Sequence, residues 1–164
     1  MIRMKEIIIR IVKLESMRVA YVRAFSKTPE EDAIKILRDW AEPKGFFLKP
    51  AKHYHFGYNN PSPNPDDPQG KYGYEYLISI GPDVEPEGEI KIKKITGGLY
   101  AVARCQGVEN IYPTWMYLYD EWLRTSQFEF DEDNKPGLEE FITPLEPLQN
   151  KWLFDLYLPI REKK

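Results

Sequence analysis

The sequence predicts an α+β fold in which two βαββ units form a mostly antiparallel sheet, with the helices on one face. The order strand, strand, helix, strand, strand occurs twice along the 164 residues. Helices do not alternate with every strand, as a parallel sheet would require, so antiparallel pairing is favoured. We therefore expect one domain over residues 1–164, built from pseudo-repeats at about 5–82 and 88–160.

The elements of the first half follow from local patterns. Thr28 is placed to cap a helix and Pro29 to occupy its first position, and apolar residues then recur at helical spacing. The prolines in residues 59–72 predict a loop. Four segments have the β-branched or aromatic composition of strands: 6–14, 17–25, 53–58 and 74–80.

The second half repeats this order. A helix is predicted from Asn110 to about Thr125, and the polar residues 126–137 predict a loop. The strand segments are 90–95, 99–105, 138–145 and 151–160. A short similarity between the segments VAYVR at 19–23 and YAVAR at 100–104 is consistent with an internal duplication. Joining two such halves should leave a groove at their pseudo-twofold axis, which is a favoured position for a ligand.

Composition excludes several classes of protein. No apolar run is long enough to span a membrane, and the charged N-terminus does not have the pattern of a signal peptide, so we expect a cytoplasmic protein. A net charge of −3 without a basic cluster argues against a nucleic-acid partner. Only about four residues precede the first strand or follow Ile160, so we expect no DNA-binding helix-turn-helix and no direct DNA binding.

The cysteine and histidines offer little chemistry. Cys105 is the single cysteine and is expected to be a small buried hydrophobe rather than a nucleophile. His53 and His55 would share one face of a strand, yet no third ligand stands at a metal-binding spacing. We interpret both as residues of a partly exposed edge and expect no metal. The sequence has no phosphate loop or dinucleotide motif, so no cofactor is expected.

Aromatic content is the unusual property: 14% of residues, including 11 tyrosines. Tyrosine combines an apolar ring with a hydroxyl that needs a partner, and it recurs in ligand pockets for that reason. Strand alternation places Tyr74 and Tyr76 on one face and Glu75 on the other. The sequence leaves open which face lines the cleft, and Glu75 could also be a solvent-exposed residue of an edge strand.

Glu139 is the main candidate for binding a cation. Alternation places Glu139 and Phe141 on one face of a strand and Glu140 on the other. A carboxylate that faces an aromatic cavity attracts cations more strongly than one in water, and burial should raise its pKa. The alternative is that both glutamates are exposed at the start of the strand.

Aromatic residues of the second helix could border the same cleft. Tyr112 and Tyr119 are candidates for its rim, whereas Trp115 and Trp122 fit an apolar core stripe. Two or three rings around a cation would each contribute about 0.5–2 kcal/mol.

Six segments, in this order and spacing, resemble the gyrase-inhibitor-like family, whose members also form effector-binding domains of AraC-type and MerR-type regulators. They are FGYNNP at 56–61, GYEY at 73–76, GGLYAV at 97–102, WMYLYDEWL at 115–123, PGLEEF at 136–141 and DLYLPI at 155–160. The resemblance covers about residues 5–160.

This resemblance implies a duplicated βαββ fold of the Rob and gyrase-inhibitor C-terminal type. Its central cleft takes hydrophobic and cationic compounds, held by aromatic side chains and a glutamate that corresponds to Glu139. The family usually has tyrosine where this chain has Phe141. The expected ligand contacts are Glu139, Phe141, Tyr74, Glu75, Tyr76, Tyr112, Trp115, Tyr119, Phe56 and Tyr157. We therefore expect a stand-alone sensor or sequestering protein, not an enzyme.

Two alternatives remain open. Some family members hydrolyse reactive cyclopropane-containing compounds with a glutamate and a tyrosine, in which case Glu139 would be the catalytic candidate. The chain could instead be an interaction module that binds gyrase or a regulator through the acidic loops 83–89 and 131–133.

Overall fold

The computed structural model describes residues 7–47, 53–134, 136–144 and 146–164. Within these residues, the strands are β1 (Ile9–Leu14), β2 (Met17–Ser26), β3 (His55–Asn59), β4 (Tyr72–Ser79), β5 (Lys91–Ile95), β6 (Gly98–Gln106), β7 (Phe128–Phe130), β8 (Leu138–Phe141) and β9 (Leu153–Glu162). The helices are α1 (Pro29–Ala41), α2 (Ile111–Tyr117) and α3 (Leu123–Thr125), and a π-helical turn at Leu118–Trp122 joins α2 to α3. The chain divides into two compact units. Unit A is Met17–Ile95, and unit B combines the described part of Met1–Ser16 with Thr96–Lys164.

The described residues of unit A form a four-stranded sheet with one α-helix, which a 3-10 turn at Glu42–Lys44 follows. Its strand order is β3-β4-β2-β5, and all neighbouring strands are antiparallel. The helix α1 begins at Pro29 after Thr28, as the sequence predicts, although the Thr28 side chain makes no capping hydrogen bond. Ala33, Leu37 and Ala41 form its buried stripe, and the helix packs against β2 and β4.

Unit B has the same architecture. Its strand order is β8-β9-β6-β1, again antiparallel, with β7 pairing along β9. The helix α2 packs against β6 and β9. The two units therefore have equivalent strand orders and confirm the predicted α+β, mostly antiparallel fold.

Each unit includes one edge strand from the other half of the sequence. β1 does not form a hairpin with β2 but pairs with β6 in unit B, and β5 pairs with β2 in unit A. The backbone at Gly97 supports this pairing, since its φ of +76° suits glycine and a side chain there would overlap the backbone at Leu14. The division into pseudo-repeats at 5–82 and 88–160 stays a prediction.

Several local predictions were wrong. The predicted loop 126–137 contains β7, because Phe128 and Phe130 pair with β9. The predicted strand 138–145 ends at Phe141, and its last residue, Leu145, lies outside the described residues, as does Glu6 of the first predicted strand. His55 is not at an exposed edge but 1% exposed, since it packs beside Phe47 with ring centroids 4.8 Å apart.

Candidate functional site

In unit B, Glu139 lies beside the second helix. The Nε1 group of Trp115 on α2 donates a hydrogen bond to Oε2 of Glu139 on β8, at 3.3 Å. Gly137 allows this approach, because a Cβ there would come within 2.9 Å of the Trp115 ring. Both Glu139 and Trp115 are half-buried. A carboxylate in this position is partly desolvated and oriented by the indole.

Aromatic rings continue from Trp115 along the same side of unit B. The ring centroids of Trp115 and Tyr119 are 6.2 Å apart, and those of Tyr119 and Phe130 are 5.8 Å apart. Tyr119 is 38% exposed, and partial burial raises the pKa of its hydroxyl. We call Glu139, Trp115, Tyr119 and Phe130 the Glu139 cluster. It combines one anionic group with three rings that solvent can partly reach.

Glu140 lies on the opposite face of β8. The hydroxyl of Tyr157 donates a hydrogen bond to Oε1 of Glu140 at 2.7 Å. Burial raises the pKa of Glu140, and the charge of Asp155 raises it further, while the Tyr157 hydrogen bond acts in the opposite direction. The predicted alternation is thus observed, with one glutamate beside α2 and its neighbour in a Glu-Tyr pair on the other face.

Asp155 on β9 lies on the same face of the sheet as Glu140. Its side chain is 4% exposed and forms ion pairs with Arg104 at 2.8 Å and with Arg10 at 2.7 Å. Arg104 also donates a hydrogen bond from Nη2 to Oδ2 at 3.1 Å. The hydrogen bond to Asp155 raises the pKa of Arg104. Two cations from neighbouring strands therefore neutralise one buried carboxylate.

Glu75 occupies the equivalent strand position in unit A, since it pairs with Tyr58 on β3 as Asp155 pairs with Glu140 on β8. It is 5% exposed, so the alternative of an exposed edge-strand glutamate was wrong. Burial alone would raise the pKa of Glu75, but hydrogen bonds from Lys93, Tyr58 and Asn60 outweigh it and hold the pKa below its usual range.

The other predicted residues of unit A pack in its core. Tyr72 donates a hydrogen bond to Glu30 of α1 at 2.7 Å, so the face shared by Tyr72, Tyr74 and Tyr76 is the helix face. Tyr74 and Tyr76 are 2% and 1% exposed, and Phe56 is fully buried. Their assignment as ligand contacts stays a prediction, and any such role would require movement of the packed core.

The remaining predicted residues of unit B differ in exposure. Tyr112 is 71% exposed at the start of α2, whereas Tyr157 and Phe141 are buried on β9 and β8. Phe141 packs against Phe154 with ring centroids 5.0 Å apart. Trp122 is half-buried and stacks on Phe128 at 6.1 Å, so it is only partly the core residue that was expected.

Cys105 is a buried free thiol. Burial raises the pKa of the Cys105 thiol to about 12, which keeps it protonated and unreactive at neutral pH. Across the described ranges, no group of three His, Cys, Asp or Glu side chains is arranged to hold a metal ion. The described helices also include none that is long and apolar enough to cross a membrane.

Residues 83–87 of the acidic segment 83–89 border an open cavity of about 390 Å³ together with Trp40 and Lys44. Trp40 donates a hydrogen bond to Glu87 at 2.8 Å, and the Lys44 ammonium lies 3.6 Å from the same carboxylate. Glu87 and Lys44 are therefore paired within the chain. A protein partner for this segment stays a prediction.

Comparison with known proteins agrees with this architecture. The family described as "GyrI-like small molecule binding domain" matches residues 8–161. The chain belongs to the GyrI-like family. No curated protein matches the sequence itself.

Solved structures show the same fold at low sequence identity. The C-terminal domain of EcmrR superposes on this GyrI-like domain with a TM-score of 0.68 and 12% identity, covering 96% of this chain and 99% of that one. In a complex of EcmrR with DNA, the TM-score is 0.70 at 12% identity over 96% of this chain, which spans only 58% of the EcmrR chain.

Two further structures share the GyrI-like fold. A hydrolase from Listeria innocua has a TM-score of 0.67 at 10% identity, with 93% of this chain and 91% of that chain covered. SAV2435 bound to tetraphenylphosphonium has a TM-score of 0.52 at 14% identity, with 93% of each chain covered.

Sequence reasoning missed several residues of this GyrI-like domain. Phe130 joins the Glu139 cluster although it lies in a predicted loop, and only its alternation with Phe128 could have indicated a strand. Lys93 and Tyr58 surround Glu75, and Asp155 binds two arginines. Such partners depend on strand register, which the sequence pattern does not specify between distant strands.

Proposed function

We propose that this GyrI-like domain binds lipophilic organic cations at the Glu139 cluster, as a cytoplasmic sensor or sequestering protein without direct contact to nucleic acid. The observation that carries the proposal is the half-buried Glu139 carboxylate, held by the Trp115 indole at 3.3 Å at one end of a row of rings. Partial removal from water strengthens the attraction between this carboxylate and a cation.

The expected affinity can be bounded. Three rings at about 0.5–2 kcal/mol each contribute roughly 1.5–6 kcal/mol, whereas a micromolar complex requires about 8 kcal/mol. The carboxylate and the burial of the ligand's apolar groups must supply the difference. A large cation with delocalised charge suits this site, because it is easily desolvated and can contact several rings at once.

Tetraphenylphosphonium is a suitable probe, since the similar structure of SAV2435 was solved with it. Isothermal titration calorimetry should show that Glu139→Gln lowers the affinity at least tenfold, because two opposite charges about 6 Å apart at an effective dielectric constant of about 20 attract each other by about 3 kcal/mol. Glu140→Gln is the matched control, since Glu140 is the next residue but faces Tyr157 on the opposite side of β8. Its affinity should equal that of the wild type.

A neutral probe separates charge recognition from apolar burial. Triphenylphosphine oxide presents similar rings without a net charge, so its affinity should not fall in Glu139→Gln as that of tetraphenylphosphonium does. Equal affinity of the two proteins for tetraphenylphosphonium would falsify the proposed role of Glu139.

Hydrolysis is a second candidate, favoured by the Glu140-Tyr157 pair. General acid-base catalysis needs a carboxyl group whose pKa is moved toward the working pH, and burial raises the pKa of Glu140 beside the Tyr157 hydroxyl. The similar fold of a hydrolase from Listeria innocua supports testing it. Incubation with an electrophilic cyclopropane, followed by mass spectrometry, should show product that is lost in Glu140→Gln and in Tyr157→Phe. Unchanged substrate with the wild type would exclude this activity for that class of compound.

A further inference from the structure

The Lys93 ammonium lies among Tyr21, Tyr58 and Glu75 in unit A, and we call these three residues the cage. The Lys93 Nζ is 4.2 Å from the centroid of the Tyr21 ring and 5.3 Å from that of Tyr58. The same ammonium donates hydrogen bonds to Oε1 of Glu75 at 2.5 Å and to the Tyr58 hydroxyl at 2.6 Å. Two phenol rings and a carboxylate around an ammonium are the elements of a protein site for organic ammonium ions.

The walls of this cage are held independently of Lys93. Tyr58 donates a hydrogen bond to Oε1 of Glu75 at 2.7 Å, and Asn60 donates one to Oε2 at 2.6 Å. Tyr21, Tyr58 and Glu75 lie on the neighbouring strands β2, β3 and β4. The Glu75 side chain is only 6% exposed, so its charge is oriented and partly desolvated.

The cation comes from a different strand. Lys93 lies on β5, at the edge of the unit A sheet, and its side chain is 30% exposed. Its head group can therefore leave the cage without unpacking the three strands that form the walls.

We propose that Tyr21, Tyr58 and Glu75 form a second cation-binding site, that Lys93 occupies this site as an intramolecular ligand, and that small primary alkylammonium ions bind there in its place. A primary ammonium is favoured because the bound head group donates hydrogen bonds to both Glu75 and Tyr58. A quaternary ammonium has no N–H group and cannot make them. The site lies wholly in unit A, so it does not depend on the Glu139 cluster.

Lys93 determines the concentration of free amine that binding requires. The Lys93 side chain is tethered to a fixed strand, so its ammonium competes at an effective concentration well above the millimolar value of a short flexible linker. A free amine must therefore reach high concentrations to displace it, and the wild-type site responds only to abundant amines. Removing the lysine charge should convert the occupied cage into an open site.

The experiment titrates n-butylammonium chloride into wild type and Lys93→Met, with binding followed by calorimetry. Lys93→Met should bind n-butylammonium at least tenfold more tightly than wild type, and the further change Glu75→Gln should abolish the gain. Tetramethylammonium should bind Lys93→Met at least tenfold more weakly than n-butylammonium. Lys94→Met is the matched control, since Lys94 is the next residue on β5 and is exposed; it should behave as wild type.

Two outcomes would overturn the proposal. The first is equal n-butylammonium affinity in wild type, Lys94→Met and Lys93→Met. The second concerns folding, because Lys93→Met leaves the buried Glu75 without its cation. If Lys93→Met unfolds, n-butylammonium chloride should restore the folded state, whereas sodium chloride at the same ionic strength should not. Recovery in neither salt, or equal recovery in both salts, would refute the site. Tetraphenylphosphonium binding at the Glu139 cluster is a separate measurement, so failure of either proposal can be recognised.

Discussion

Replacing Asp155 by asparagine tests how far the unit B sheet depends on a buried ion pair. The Asp155 carboxylate accepts three hydrogen bonds from Arg10 and Arg104, at 2.7, 2.8 and 3.1 Å. Breaking a buried ion pair by removing one partner costs about 3–5 kcal/mol. Here the two arginine side chains are 51% and 52% exposed, so water can solvate them after the change. We therefore expect Asp155→Asn to lower the free energy of unfolding by about 2–3 kcal/mol.

Urea unfolding, followed by circular dichroism, measures this loss. For a chain of this size it corresponds to a decrease in Tm of roughly 4–12 °C. Asp39→Asn is the internal control, because Asp39 pairs with Lys35 at 2.7 Å but both side chains are mostly exposed, at 67% and 76%. That change should cost only about 0.3–0.5 kcal/mol. If the two substitutions cost the same, burial of the Asp155 carboxylate does not determine the loss of stability.

Two further substitutions test the core of unit A. Burial, with a smaller contribution from His53, lowers the pKa of His55 to about 4. As the pH falls, the His55 imidazole is therefore protonated at a higher pH in the unfolded chain than in the folded protein. The free energy of unfolding should decrease by up to about 3 kcal/mol between pH 6.5 and pH 4. His55→Leu should flatten this part of a pH series of urea unfolding curves, and an unchanged slope would contradict the assigned cause. Gly57→Ala should destabilise the protein by about 1–3 kcal/mol, since its Cβ would overlap the Tyr74 ring. A Cβ added at Gly81 would have open space around it, so Gly81→Ala should change the Tm little. Similar losses of stability in Gly57→Ala and Gly81→Ala would show that the contact with Tyr74 is not decisive.

The candidate site was predictable where it depends on strand alternation. The pattern at 138–141 separated Glu139 from Glu140, and the structure places them beside Trp115 and Tyr157 respectively. Alternation also separated Glu75 from Tyr74 and Tyr76. It could not say which face the helix covers, because both faces of β4 carry large side chains and are buried. The contact between Tyr72 and Glu30 answers that question.

The sequence by itself determined the fold class and the placement of Glu139 and Glu140 on opposite faces of one strand, because both depend on residue periodicity that is local in the chain. Only the tertiary structure decided the exchange of edge strands, the strand formed by Phe128 and Phe130, and the partners of Glu75 and Asp155. These features depend on which distant strands pair and in what register. Local propensity does not encode that choice, which arises from the joint burial of side chains that are far apart in the sequence.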